Sequence, residues 1–285
     1  MRIVLVLALW LAGRGAWAET LKVSTWNLDW LTSASRTQAR LPADVRTRTP
    51  EDFARLAAYA ARLNADIVAL QEVDGPAAGR IFDPARYRIE TIDEDVVQRV
   101  GIAVRRDIGI VRHPDVTALD VEPQANFRLR AGLDVTLVLP GGATLRALVV
   151  HLKSGCQTDP IAGSSRPSCA LLAAQIGPLA DWAAARQREG VAFLLMGDFN
   201  RVLDTPEELG AALAHAAPLL RATEGFENPC WDGAPFIDHI FAGGPARAWL
   251  RPETLRVQLF TEVGADWKQR LSDHCPVSVM LDTGG

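Results

Sequence analysis

A chain of 285 residues has room for one large core or two small ones, and its 48% hydrophobic and 22% charged content is that of a folded protein, which excludes disordered, collagenous and coiled-coil classes. A formal net charge of −4 excludes holding nucleic acid by bulk basicity, so a polyanionic substrate must be gripped by a local patch or a metal ion.

The chain opens with Met1-Arg2, an apolar run over 3–12, and Ala16-Trp17-Ala18, a small-x-small cleavage pattern. This predicts a signal peptide over 1–18, removed on export, and a mature domain over 19–285 that is secreted or periplasmic. The run is too short to span a ~30 Å hydrocarbon core, and no later segment reaches that length, so no stable membrane insertion is expected. Cleavage would leave 28 basic and 34 acidic side chains, a net charge of −6. Residues 21–26 alternate as a first strand. Residues 32–49 read as a polar loop carrying Arg36, Arg40, Arg46 and Arg48 against one acid, Asp44. That loop is either simply solvated or an arm that grips phosphate. Thr49-Pro50-Glu51-Asp52 starts a helix, with a Thr cap and Pro at the first position, and Phe53, Leu56, Ala57, Ala60 and Leu63 share a face.

Residues 66–70 form a short apolar strand ending at Gln71-Glu72. Further strands are predicted at 100–104, 133–139 and 144–152, the last two joined by the Pro140-Gly141-Gly142 turn. A helix over 170–188 follows, then a buried-type strand over 191–196 running into Gly197-Asp198-Phe199-Asn200. A helix over 206–216 and strands over 237–241 and 276–281 complete the reading: one α/β domain without repeats or linkers. Cys156 and Cys169 bracket a Gly/Ser/Pro segment and are the natural local disulfide pair, which leaves Cys230–Cys275 by elimination. A zinc site, the competitor for these cysteines, lacks CxxC or paired-His spacing.

One pattern recurs along the chain. An apolar strand ends and a carboxylate, amide or imidazole follows at once, at Asn27, Glu72, His151, Asp198/Asn200, Asp238 and Asp273/His274. A single such residue is more often a turn former or cap; six of metal-ligand and acid–base type are a candidate site on rigid strand ends. The set suits phosphoester hydrolysis. Glu72, with Asn27 or Asp273, offers the hard oxygen ligands that Mg²⁺ prefers. Asp198 would orient a water, Asn200 would donate to a phosphoryl oxygen, and His151 would protonate the leaving group. Asp238 and His274 form a carboxylate–imidazole pair that raises the imidazole pKa. His239 and His113 read as packing or surface residues, and Trp26 and Trp182 as core aromatics.

The stretches Ser24-Thr25-Trp26-Asn27, Leu70-Gln71-Glu72, Met196-Gly197-Asp198-Phe199-Asn200, Ile237-Asp238-His239-Ile240 and Ser272-Asp273-His274-Cys275-Pro276-Val277 occur in this order. Together they resemble the endonuclease/exonuclease/phosphatase superfamily, of which DNase I is the best-known type. The resemblance covers residues 21–281. It implies a four-layered α/β sandwich of two mixed β-sheets with outer helices. It also implies a metal at Glu72, Asn27 and Asp273 (Mg²⁺, with Mn²⁺ or Ca²⁺ as options), a catalytic set of His151, Asp198, Asn200, Asp238 and His274, and substrate contacts from Arg130 and Asn200. His151 places the chain nearer the DNase and phosphatase branches than the apurinic endonucleases. In DNase I relatives a Glu before the strand at 100–104 orients the equivalent of His151; this chain has Gln98 there, which would hold His151 less firmly as an imidazolium. The expected substrate is nucleic acid or another phosphate ester. The alternatives are a small-molecule phosphatase of inositol phosphate type, a sphingomyelinase-like phosphodiesterase, and an inactive binding module on the same fold.

Overall fold

Apolar side chains recur at every second position of the central strands, and the two phases of that alternation are buried in different cores. The computed structural model describes residues 19–39, 41–122, 124 and 129–284, so the expected signal segment 1–18 and Arg40 lie outside the described residues. In chain order the elements are β1 (Thr20–Leu31), α1 (Arg36–Ala39), α2 (Pro50–Leu63), β2 (Ile67–Val73), α3 (Gly75–Ile81), β3 (Tyr87–Thr91), β4 (Gly101–Arg105), β5 (Gly109–Arg112), β6 (Leu133–Val138), β7 (Thr144–His151), α4 (Pro167–Glu189), β8 (Phe193–Asp198), α5 (Glu208–Ala216), β9 (Leu219–Arg221), β10 (Asp238–Gly243), α6 (Ala246–Trp249), β11 (Leu250–Val257), α7 (Asp266–Arg270) and β12 (Val277–Asp282). They build two six-stranded sheets, ordered β11-β12-β1-β2-β4-β3 and β5-β6-β7-β8-β10-β9. Each is mixed: β1–β2 and β7–β8 are parallel, joined through the helical crossovers α2 and α4, and the other pairs are antiparallel.

Leu21, Val23, Ile67 and Ala69 of the first sheet face Leu145, Ala147, Val149, Leu194 and Met196 of the second in one inter-sheet core. The opposite phase of the first sheet, including Trp26, Val68 and Leu70, packs under α2 and α3. The opposite phase of the second, including Leu148, Val150, Phe193 and Leu195, packs under α4 and α5. Three cores between four layers give the sandwich that the resemblance implied.

The α2 start follows its sequence: Thr49 accepts from the Asp52 amide, the Asp52 carboxylate accepts from the Thr49 amide, and Pro50 opens the helix. Trp26 and Trp182 are buried as expected. Both disulfides are present, Cys156–Cys169 with Cα atoms 5.1 Å apart and Cys230–Cys275 at 5.7 Å. No helix among the described residues is long and apolar enough to cross a membrane.

Differences concern polar edges. The first strand runs on to Leu31, with a register shift between Asn27 and Leu31, because β1 keeps pairing with β2 past the apolar run that marked it in the sequence. The 32–49 loop holds the short α1, and its described arginines bind the protein itself. Arg36 donates to the carbonyls of Pro42 and Val45, and Arg46 pairs with Asp266 at 2.6 Å. Arg48 is buried and donates to the carbonyls of Leu28 and Leu271.

Candidate active site

Alternation also delivers the polar residues. Continuing the inward phase of β1 (Leu21, Val23) reaches Asn27; that of β7 (Leu145, Ala147, Val149) reaches His151; that of β8 (Leu194, Met196) reaches Asp198. On antiparallel β10 the same phase, read backwards from Ala242 and Ile240, begins at Asp238, which pairs with Asp198 across the strands. His151 is the neighbour of Asp198 on the other side. Four polar side chains thus lie at one end of the inter-sheet core. Gly197 lets β7 and β8 approach: its φ is 145°, and a Cβ there would sit 2.0 Å from the Val150 carbonyl oxygen.

Backbone strain turns further groups inward. Among the described non-glycine residues with positive φ are Asp29 (47°), Trp30 (56°), Glu72 (56°) and Asn200 (51°), all at this end. Such conformations persist only where surrounding contacts over-determine them. The Trp30 amide donates to Glu72 Oε2 at 3.1 Å, and the Asp29 amide to Asn27 Oδ1 at 2.9 Å. The Asn200 amide donates to Asp198 Oδ1 at 2.7 Å.

The groups converge closely. Asn27 Nδ2 donates to Glu72 Oε1 (3.2 Å) and to Asp198 Oδ2 (3.0 Å). Asn200 Nδ2 donates to Asp198 Oδ2 and to the Leu152 carbonyl, both at 3.1 Å. His274 Nδ1 meets Asp238 Oδ2 at 2.7 Å, and its Nε2 lies 3.9 Å from Asp198 Oδ2 and 3.8 Å from Asp273 Oδ1. His151 Nε2 lies 3.5 Å from Glu72 Oε1 and 3.6 Å from Asp198 Oδ2. The Ser272 hydroxyl fixes the His274 turn to β1: it donates to the Asn27 carbonyl and accepts from the His274 amide.

Electrostatics separate the titrating groups. Burial, reinforced by Asp238, pushes the Asp198 carboxyl up to about 7, against the pull of His274. Burial opposes charging of His274, but Asp238, through charge and hydrogen bond, and then Asp198 outweigh it and raise its pKa well above the ordinary value. His151 goes the other way, lowered well below the ordinary value by burial, then by the Arg130 guanidinium.

All nine sequence-predicted residues lie at this end, and Gln98 and Arg130 have partners there that the sequence did not indicate. Gln98 Nε2 donates to Glu72 Oε2 at 2.5 Å. Arg130, expected on substrate phosphate, is buried with Nη1 2.8 Å from His151 Nδ1. The sequence reading missed Asp29, whose carboxylate meets Arg48 Nη2 at 3.2 Å and whose pKa burial, and then Asp273, push up to about 7. The signal was present, an acid two residues after Asn27, but ending the strand at residue 26 placed Asp29 in a loop.

Two groupings are candidates to hold a cation. Asp198, Asp238 and His274 are one trio among the described residues whose ligand atoms lie within 4.8 Å of one another. In that trio His274 already shares a proton with Asp238, and an imidazolium has no lone pair to give. The other grouping, Glu72 and Asn27 with Asp29 and Asp273 beside them, consists of oxygen donors, the chemistry that fits a hard divalent ion. Burial, and after it the neighbouring Asp273 and Glu72 carboxylates, raise the Asp29 pKa, and the repulsion among the three acids is what a cation would relieve.

Comparison with known proteins agrees with the fold. The family model described as "Endonuclease/Exonuclease/phosphatase family" matches residues 24–274. The truncated TDP2 of Caenorhabditis elegans superposes with a TM-score of 0.62 at 17% identity, covering 92% of this chain and 97% of that one. The Neisseria 3′ phosphatase NExo, bound to a product DNA hairpin, gives 0.58 at 17% identity over 92% and 99%. The human Nocturnin catalytic domain with bound sulfate gives 0.58 at 16% identity over 93% and 98%. A search of curated proteins gives no match.

Proposed function

This chain belongs to the endonuclease/exonuclease/phosphatase family and hydrolyses phosphate ester bonds, and on that premise we propose that it is an exported, Mg²⁺-dependent phosphodiesterase acting on nucleic acid ends or short strands. The observation that carries the reading is the meeting of Asn27, Glu72, His151, Asp198, Asn200 and the Asp238–His274 pair at one end of the inter-sheet core. When bound, the divalent ion would polarise a phosphoryl oxygen and offset its developing charge. Glu72 and Asn27 would hold it, with Asp273 or Asp29 completing the oxygen set. Asp198, buried and held by two Asn side chains, orients the attacking water and takes its proton. Asn200 donates to a phosphoryl oxygen. His274, kept charged by Asp238, stabilises the developing negative charge on the phosphoryl group.

A nucleic acid substrate draws support from two relatives, the Neisseria phosphatase with its DNA hairpin product and a zebrafish TDP2 with a single-stranded DNA product. Export draws support from the N-terminal segment and from two disulfides, which persist in oxidising compartments. One observation favours a second reading, a small-ester phosphatase: the described arginines of the 32–49 loop are engaged with the protein itself, which weakens that loop as a grip on duplex DNA. Supercoiled plasmid, a single-stranded oligonucleotide and a phosphomonoester panel, assayed together with Mg²⁺, decide between them. Cleavage of the oligonucleotide is expected; turnover of the monoesters alone would transfer the assignment to the second reading.

A further inference from the structure

His151 has an unusual partner. An imidazole at a hydrolytic site is commonly oriented by an acceptor, a carboxylate or carbonyl that takes the Nδ1 proton and leaves Nε2 free to accept. Here Nδ1 faces Arg130 Nη1 at 2.8 Å. Guanidinium nitrogens only donate. The contact is therefore a hydrogen bond only if Nδ1 is the acceptor, which puts the ring proton on Nε2. That nitrogen points to the space bounded by Glu72 Oε1 at 3.5 Å and Asp198 Oδ2 at 3.6 Å. Gln98, the residue in the sequence position of an orienting acid, is occupied with Glu72 instead. Arg130 is itself buried, with the carboxylates of Glu72, Asp198, Asp120 and Glu94 acting on its charge. Its charge is thus balanced by the acids around it, and it is not presented at the surface.

We propose that Arg130 is a positioning residue which locks His151 in the Nε2–H tautomer, so that His151 serves the reaction as a fixed hydrogen-bond donor to a phosphate oxygen and never as a base. The assignment rests on the phosphoesterase reading for its consequence, but the tautomer itself does not depend on it. It also divides the labour of the two imidazoles. His274 has a carboxylate on Nδ1 and His151 has a guanidinium, so the two rings meet the substrate in different protonation forms. A proton acceptor for water must then be found on the Asp198 side of the site.

The direct test is heteronuclear NMR of histidine-labelled protein, which reads the two ring nitrogens of His151 separately. The wild type should show a protonated Nε2 and an unprotonated Nδ1; Arg130→Met should show a mixture, and Arg130→Lys, which keeps a donor, should restore the wild-type pattern. A protonated Nδ1 in the wild type overturns the proposal, whether or not any substrate is hydrolysed, which keeps its failure distinct from failure of the proposed function. Kinetics give the second arm. Arg130→Met and His151→Ala should each lower kcat about 10²-fold, with little change in KM, and the double variant should be no slower than His151→Ala alone. Additive losses, or an Arg130→Met effect confined to KM, would make Arg130 a substrate-phosphate contact and also overturn it.

Discussion

Burial of Asp198 sets the terms on which this site operates. In the proposed role of base, a carboxyl that holds its proton up to about pH 7 accepts one from water only above that pH, so kcat/KM should fall on acidification below neutrality. Raising the divalent ion concentration should move that limb to lower pH, since nearby positive charge favours the carboxylate. A limb that does not respond to the ion would separate Asp198 from the cation. Between the imidazoles, His274→Ala should cost more turnover than His151→Ala, each within about 10²–10⁴-fold, because only His274 has a hydrogen-bonded carboxylate that stabilises its protonated form. Equal or reversed losses would reject that ordering. Arg48 separates from Arg46 in the same way. Removing the buried Arg48 leaves two carbonyls and Asp29 without their donor and should destabilise by about 3–5 kcal/mol, whereas Arg46→Ala, an exposed pair with Asp266, should change stability by less than about 1 kcal/mol. Urea unfolding of both variants reads the contrast. The sequence displayed these arginines as one charge run. Their different fates follow from which carbonyls the folded loop brings near them, which no local pattern encodes.

Among the elements, legibility follows burial. Strands β2, β6, β7, β8 and β12 and helices α2 and α4 were visible because apolar periodicity marks them, with boundaries shifted by a few residues. Strands β3, β5, β9 and β11 and helix α3 were not, since these edge strands are short or interrupted by polar residues and carry no sustained apolar run, and α3 is only seven residues long. The inward phase that carries Asn27, His151, Asp198 and Asp238 was implicit in the alternation; that these strand ends meet required the second sheet. On β10 the outward neighbour of Asp238 has its own consequence. His239 is fully buried, with its ring nitrogens on the Thr223 hydroxyl and the Arg201 carbonyl, and burial lowers its pKa to about 3. Unfolded, it binds a proton near its ordinary pKa of about 6.5. Between those values the unfolded chain therefore holds more protons, and the stability His239 gives above pH 6.5 is lost as pH falls toward 3. The urea midpoint of the wild type should drop between pH 7 and 4.5 more steeply than that of His239→Gln. Parallel pH profiles would assign the acid sensitivity elsewhere.

Across the whole molecule, two disulfides staple the end that bears the site. Cys156–Cys169 closes a loop of 13 residues just after His151, and Cys230–Cys275 ties the segment before Asp238 to the turn that holds His274, across 45 residues. The loop-entropy model gives roughly 3 and 4 kcal/mol for the two. Cys230→Ser/Cys275→Ser should accordingly lower the thermal midpoint more than Cys156→Ser/Cys169→Ser, and equal midpoints would show that native-state strain offsets the longer closure. The local pair was readable from its spacing and the second followed by elimination. The two-sheet architecture, by contrast, came from the likeness of five short motifs to a family, since strand order across two sheets leaves no periodic trace. On the proposed reading, Glu72 and its oxygen neighbours hold a divalent ion without which the site does not turn over. Hydrolysis of a single-stranded oligonucleotide should stop after chelation, return with Mg²⁺, and not return for Glu72→Ala at the same Mg²⁺ concentration; undiminished hydrolysis by the chelated wild type would rule out a metal-dependent site.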